Sequence, residues 1–129
     1  MALVKAINME IFKEFTFDAA HYLPNVPETH KCRRMHGHTY RVRVVVRGPL
    51  DPVLAWVKDF ADIKKLITPV KNRLDHFTLN EIEGLENPTA ENLAIWIWKA
   101  IKPDLPELKE VWVLETPESG CVYRGEEPA

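Results

Sequence analysis

Between Met9 and His21 the side chains alternate: Met9, Ile11, Lys13, Phe15, Phe17, Ala19 and His21 share one parity, and Glu10, Glu14, Thr16 and Asp18 the other. A period of two predicts a β-strand with one face in a core. The same period returns from His36 to Arg47, where His36, His38, Tyr40, Val42, Val44 and Val46 oppose Thr39, Arg41, Arg43 and Arg47. This is the second strand. Between the two, Tyr22 to Arg34 holds Pro24 and Pro27 and follows neither period, so a loop is expected. Gly48-Pro49 and Asp51-Pro52 mark a turn before a short apolar stretch at Trp56 and Val57. The period then becomes helical. Phe60, Ile63, Ile67 and Val70 form a stripe behind a capping Asp59, with Asp62 in the first turn, and Pro69 predicts an early end or a kink. A second helix starts at a capping Thr89, runs through Leu93, Ala94, Ile97, Ala100 and Ile101, and stops at Pro103. Val111, Val113 and Glu115 alternate with Trp112, Leu114 and Thr116 in a third strand, and Cys121 to Arg124 form a fourth after a Glu118-Ser119-Gly120 turn.

Two strands, two helices and two strands in that order give an α+β fold: a four-stranded antiparallel sheet with both helices packed on one face. The other face then needs a cover. Trp56, Trp96, Trp98 and Trp112 add more apolar surface than two layers hide, so oligomerisation through the open face or the sheet edges is expected. The 129 residues make one domain, 1–129, and 46% apolar with 28% charged residues is ordinary for a globular chain. Net charge is 17 minus 19, or −2, with the basic residues scattered, which argues against nucleic acid or an anionic membrane as the principal partner. The longest apolar run, Leu93 to Trp98, falls far short of the roughly 18 residues of a membrane span. Met1 to Glu10 lacks the unbroken apolar segment of a signal peptide, so a cytoplasmic protein is expected. Two cysteines, Cys32 and Cys121, rule out a multi-bridge scaffold and are expected to be free thiols.

His36 and His38 stand two apart on a strand and project from one face. Alone, such a pair reads slightly more readily as a surface accident or a polar strand end than as a metal site. His21 changes the balance: it continues a face holding Phe15 and Phe17, and an antiparallel pairing of the two strands brings it to the other two. Three neutral imidazoles suit zinc, and three protein ligands leave the open position of a catalytic site. Cys32, four residues before His36 and flanked by Lys31, Arg33 and Arg34, is a candidate base because cationic neighbours favour a thiolate; inert packing is the commoner fate of a free cysteine. Cys121 fits that packing role. Asp75-His76 can relay protons, although by itself the pair more often reads as a loop ion pair or a helix-end polar cluster. Glu115, at the end of the third strand, can accept two parallel hydrogen bonds from an amidine-like edge, or else be a solvated strand-end charge.

Taken together, Phe17-Asp18-Ala19-Ala20-His21, Cys32-x-x-x-His36-Gly37-His38, Leu74-Asp75-His76-x-x-Leu79-Asn80, Asn87-Pro88-Thr89-x-Glu91 and Glu115-Thr116 resemble the 6-pyruvoyltetrahydropterin synthase superfamily over nearly the whole chain. Within it the sequence looks most like the bacterial 6-carboxytetrahydropterin synthases of queuosine biosynthesis, because three residues separate the thiol from His-Gly-His and because Asn-Pro-Thr and the ending from Gly120 to Glu126 also fit. The resemblance implies a tunnelling fold, in which three subunits close their sheets into a barrel and two rings stack into a homohexamer. It implies zinc on His21, His36 and His38, Cys32 as the proton-abstracting base, and Asp75 with His76 as a relay across a subunit boundary. Glu115 would anchor the pterin, with help near Thr89.

The implied reaction converts 7,8-dihydroneopterin triphosphate to 6-carboxy-5,6,7,8-tetrahydropterin, releasing acetaldehyde and triphosphate, a carbon-carbon lyase reaction. Two alternatives are a pyruvoyl-forming synthase, which has the same zinc site but eliminates triphosphate without cutting the side chain, and a non-catalytic zinc- or pterin-binding module, against which Cys32 and Asp75-His76 argue. Lys31, Arg33, Arg34 and Arg73 are equivalent candidates for the triphosphate.

Overall fold

The computed structural model describes residues 7–126; Met1 to Ala6, on which part of the signal-peptide reading rests, lie outside the described residues, as do 127–129. The elements are β1 (Asn8–His21), β2 (His36–Pro49), α1 (Phe60–Leu74), α2 (Ala90–Ile101), β3 (Leu108–Thr116) and β4 (Ser119–Tyr123). One sheet in the order β1-β2-β3-β4 joins them, antiparallel throughout. Helix α1 lies along β1, and α2 along β3 and β4. Between the layers Phe17, Tyr40, Val42, Val44, Val111 and Val113 meet Ile63, Ile67, Leu93 and Ile97, all buried. Both caps form: an Asp59 carboxylate oxygen accepts from the Ala61 amide at 2.9 Å, and the Thr89 hydroxyl accepts from the Asn92 amide at 3.1 Å.

Four boundaries differ by two residues or more from the sequence reading. Strand β2 runs on through Gly48 and Pro49, which read as a turn, because both pair with the start of β1 opposite Met9 and Asn8. Helix α1 continues through Pro69 to Leu74. A proline inside a helix costs about 3 kcal/mol, whereas burying the next turn's Val70 and Leu74 returns about 1.5–3 kcal/mol for each side chain. Pro69 is also exposed, so the carbonyl it leaves unbonded is on the hydrated side. Strand β3 begins at Leu108 rather than Val111. The pairing shifts between Val45 and Val46, which oppose Glu110 and Leu108, so Lys109 is an extra residue and the period of two breaks there. Strand β4 begins at Ser119, and the turn is Pro117-Glu118. Gly120 is a strand residue: opposite Leu114, a Cβ on it would stand 2.5 Å from the Val113 carbonyl oxygen. Its lack of a side chain permits a close backbone approach rather than a bend.

The sheet face away from the helices is polar and aromatic. Arg43 donates from Nε to Glu14 at 2.7 Å, with its guanidinium 4.4 Å from the Phe12 ring centroid and 5.3 Å from that of Trp112. Arg41 adds a second contact to Glu14 at 3.6 Å. Of the tryptophans, Trp96 and Trp98 pack against the core, Trp112 stands on this open face, and Trp56 is exposed.

Adding a methyl group at Gly120 forces β3 and β4 apart. Gly120→Ala is expected to lower stability by roughly 1–3 kcal/mol in urea unfolding; a midpoint equal to wild type would mean that the strands do not approach so closely.

Candidate metal and active site

The β1–β2 pairing places His21 directly opposite His36 and Ala19 opposite His38, so all three imidazoles stand on the helix-facing side at one end of the sheet. The ring centroids are 4.6 Å apart for His21 and His36, 5.2 Å for His21 and His38, and 5.0 Å for His36 and His38. One nitrogen from each lies within 4.8 Å of the others, a grouping that can hold a metal ion. Backbone carbonyls fix two of the rings. His21 Nδ1 is 2.8 Å from the Pro88 oxygen, and His36 Nδ1 is 2.7 Å from the Arg34 oxygen. A carbonyl only accepts, so each Nδ1 carries the proton and each Nε2 keeps its lone pair. The Tyr40 hydroxyl lies 3.2 Å from His21 Nδ1 and closes the inner side.

Among the described residues, the buried side-chain polar atoms without a hydrogen-bond partner are His21 Nε2 and His38 Nε2. Buried polar atoms are rarely left so, and two unpartnered ring nitrogens side by side are what a metal site would use. Burial holds the His21 imidazole below its ordinary value, with the His36 and His38 rings adding to the effect and the Pro88 carbonyl opposing it. His38 is lowered for the same first reason, against the pull of Glu115. Both rings are thus favoured in the neutral, ligating form.

Glu115 sits on the extra residue of a bulge: Leu114 faces Gly120 and Thr116 faces Ser119, with Glu115 between them. Bulges re-aim side chains, and here Glu115 Oε1 comes within 3.3 Å of His38 Nε2, an ion-pair distance without hydrogen-bond alignment. Asp75 and His76 follow α1, with 3.1 Å between Asp75 Oδ1 and His76 Nδ1. The backbone of β1 holds this pair, since the Asp18 amide donates to Asp75 Oδ1 at 3.0 Å and the Asp18 carbonyl accepts from the His76 amide at 2.7 Å. The Asp18 amide is the chief cause that lowers the Asp75 carboxyl. His76 takes a left-handed φ of 65°, unusual outside glycine. A groove of about 470 Å³ is lined by Asp18, Gly37, His38, Thr39, His76 and Phe77, and so takes in His38 from the imidazole cluster and His76 from this pair.

Cys32 lies in the 3-10 turn Lys31–Arg33, half-buried and outside the group of clustered donor atoms. Thr89 is spent on capping α2, next to the Pro88 carbonyl that fixes His21. The structure therefore gathers His21, His36, His38 and Glu115, sets Asp75 and His76 across a groove, and leaves Cys32 and Thr89 on the segments that frame them. Sequence reasoning gave no role to Pro88, Tyr40 or Asn80. Asn80 grips Tyr22 beside His21, accepting from its amide at 3.0 Å and donating to its carbonyl at 2.8 Å. Its place after Leu-Asp-His was visible, but a backbone partner 58 residues away leaves no local signal.

Residues 10–126 match the protein family described as 6-pyruvoyl tetrahydropterin synthase. The chain belongs to this family. It is 44% identical over 119 residues to a 6-carboxy-5,6,7,8-tetrahydropterin synthase of Synechocystis sp., covering 88% of this chain and 91% of that one. A dihydroneopterin monophosphate aldolase of Pyrococcus furiosus is 38% identical over 81% of this chain and 88% of its own. The solved 6-pyruvoyl tetrahydropterin synthase of Caenorhabditis elegans superposes with a TM-score of 0.88 at 28% identity, over 96% of this chain and 100% of that one.

In this synthase-family fold the lowered imidazoles fix the sign of a pH effect. Unfolding releases His21 and His38 to their ordinary value of 6.5, so below that pH the unfolded chain binds more protons than the native one. The metal-free protein is expected to lose stability progressively as pH falls from 7 to 5, followed by thermal unfolding; a Tm that is flat across this range would mean the rings are not desolvated.

Proposed function

We propose that the protein converts 7,8-dihydroneopterin triphosphate to 6-carboxy-5,6,7,8-tetrahydropterin, with release of acetaldehyde and triphosphate, in queuosine (7-deazaguanine) biosynthesis. The observation that carries this reading is a cluster of three imidazoles, two of them with buried and unpartnered Nε2 atoms, beside a carboxylate, in a chain 44% identical to a 6-carboxy-5,6,7,8-tetrahydropterin synthase. His21, His36 and His38 would hold zinc, which when bound supplies a Lewis acid for the oxygens of the substrate side chain.

The chain's own groups do the rest. Glu115 binds the amino-pyrimidinone edge, because two neighbouring N–H donors match the two oxygens of one carboxylate. Cys32 takes up the carbon-bound proton, and Asp75 orients His76, which holds and returns a proton across the groove. Thr89 contributes at the edge of the pterin site. Of the candidate cations for the triphosphate, Arg33 already donates to the Val26 carbonyl and the Arg73 guanidinium lies 4.6 Å from the Trp96 ring centroid, so Lys31 and Arg34 are preferred.

A homohexamer of two stacked trimers, with active sites at subunit interfaces, is the assembly we infer. It is supported by the sheet face uncovered in one chain and by the half-exposed Met9, Phe12 and Phe60. A cytoplasmic location accords with the finding that no described helix is long and apolar enough to cross a membrane. The pterin triphosphate is the partner proposed, without nucleic acid or membrane. The likeness to the Caenorhabditis elegans 6-pyruvoyl tetrahydropterin synthase favours a second reading, elimination of triphosphate with the side chain left whole.

Incubation of the zinc-loaded protein with 7,8-dihydroneopterin triphosphate is expected to yield acetaldehyde and triphosphate in equal amounts. Triphosphate without acetaldehyde would instead select the pyruvoyl-forming reaction. Cys32→Ala is expected to lower kcat by about a hundredfold or more with zinc content unchanged, and wild-type turnover in that variant would remove Cys32 as the base. His38→Ala should lose bound zinc in elemental analysis; full retention would remove it as a ligand.

A further inference from the structure

The chain has five histidines. His21, His36 and His38 face one another and His76 pairs with Asp75, which leaves His30. His30 has backbone angles φ −76° and ψ 132°, the extended conformation of a helix-capping residue, and its Nδ1 accepts a hydrogen bond from the Cys32 amide at 3.0 Å. On the other side of the same residue, the Cys32 carbonyl accepts from the Leu23 amide at 2.8 Å. The peptide groups flanking the Cys32 Cα are therefore held at two points, one a histidine side chain and the other the strand-proximal end of the loop. The rest of the turn is anchored independently. The His30 amide donates to the Pro27 carbonyl at 2.9 Å, and Arg33 Nη1 donates to the Val26 carbonyl at 2.9 Å.

We infer that His30 is a positioning residue: its ring nitrogen, by accepting the Cys32 amide, sets the direction in which the thiol leaves the 3-10 turn. This rests on the reading of Cys32 as the base. Proton abstraction from carbon demands a fixed distance between sulfur and hydrogen, and small misplacements cost rate rather than binding. The His30 ring acts on that distance through the backbone alone. His36, anchored to the Arg34 carbonyl at the far end of the segment, keeps its own tie, so loss of the His30 ring leaves the imidazole cluster in place.

The discriminating feature is that only an acceptor two residues ahead of the amide is needed, not an imidazole. An asparagine oxygen at a cap position makes that bond to the amide two residues on, and alanine cannot. His30→Ala is therefore expected to lower kcat by roughly tenfold to a hundredfold with KM nearly unchanged. His30→Asn is expected to restore kcat to within about threefold of wild type. Zinc content and Tm should match wild type in both variants.

Equal losses in the alanine and asparagine variants would overturn the inference by pointing to the ring itself. A drop in zinc content or Tm that tracks the activity loss would overturn it in favour of a general structural role. Cys32→Ser, measured alongside, separates the two layers. A dead Cys32→Ser with a fully active His30→Ala defeats the positioning role alone, whereas a fully active Cys32→Ser defeats the base assignment on which it rests.

Discussion

A slip of one residue between β1 and β2 would turn His36 and His38 to the opposite side of the sheet from His21, because strand side chains alternate with a period of two. The register is locked by what lies along the same parity. Phe17 faces Tyr40 with ring centroids 4.9 Å apart, Phe15 faces Val42, and these continue the row that ends in His21 opposite His36. Shifting it would expose Phe17 and the valines of β2 together. The energy that fixes the imidazoles is therefore mostly that of the apolar rows behind them, and the polar site inherits its geometry from the core.

The site also draws in parts of the chain distant in sequence. Pro88, at the entrance to α2, holds His21; Arg34, at the end of the long loop, holds His36; and the bulge in β3 brings Glu115 against His38. Each contact aims a side chain rather than adding much stability. A backbone carbonyl suits this role, since it accepts a proton but cannot supply one and so permits a single imidazole tautomer.

The legible parts of the sequence were those governed by a fixed period or a fixed spacing. Alternation from Met9 to His21 and from His36 to Arg47 located the two long strands, and His-x-His on the second put two rings on one face. Capping residues Asp59 and Thr89 placed both helix starts. The misplaced boundaries have two causes: at Lys109 an extra residue breaks the alternation, and at Pro49, Pro69 and Gly120 tertiary pairing and packing override what the residue type suggests locally. The same holds for the site. The three clustered histidines could be read from spacing, whereas Pro88, Asn80 and the Asp18 backbone act through partners far along the chain.

The strap formed by Asp75 to Thr78 has a consequence for the outer rim of the sheet. Strand β1 is a border strand, and its outward-pointing backbone groups at Asp18 and Ala20 are already bonded to Asp75, His76 and Phe77, with a parallel bridge from Ala20 to Thr78. Any strand from another molecule that extends the sheet on this side has only the stretch from Asn8 to Thr16 to zip against. It must stop short of the imidazoles, so growth of the sheet and access to the groove do not compete for the same rim.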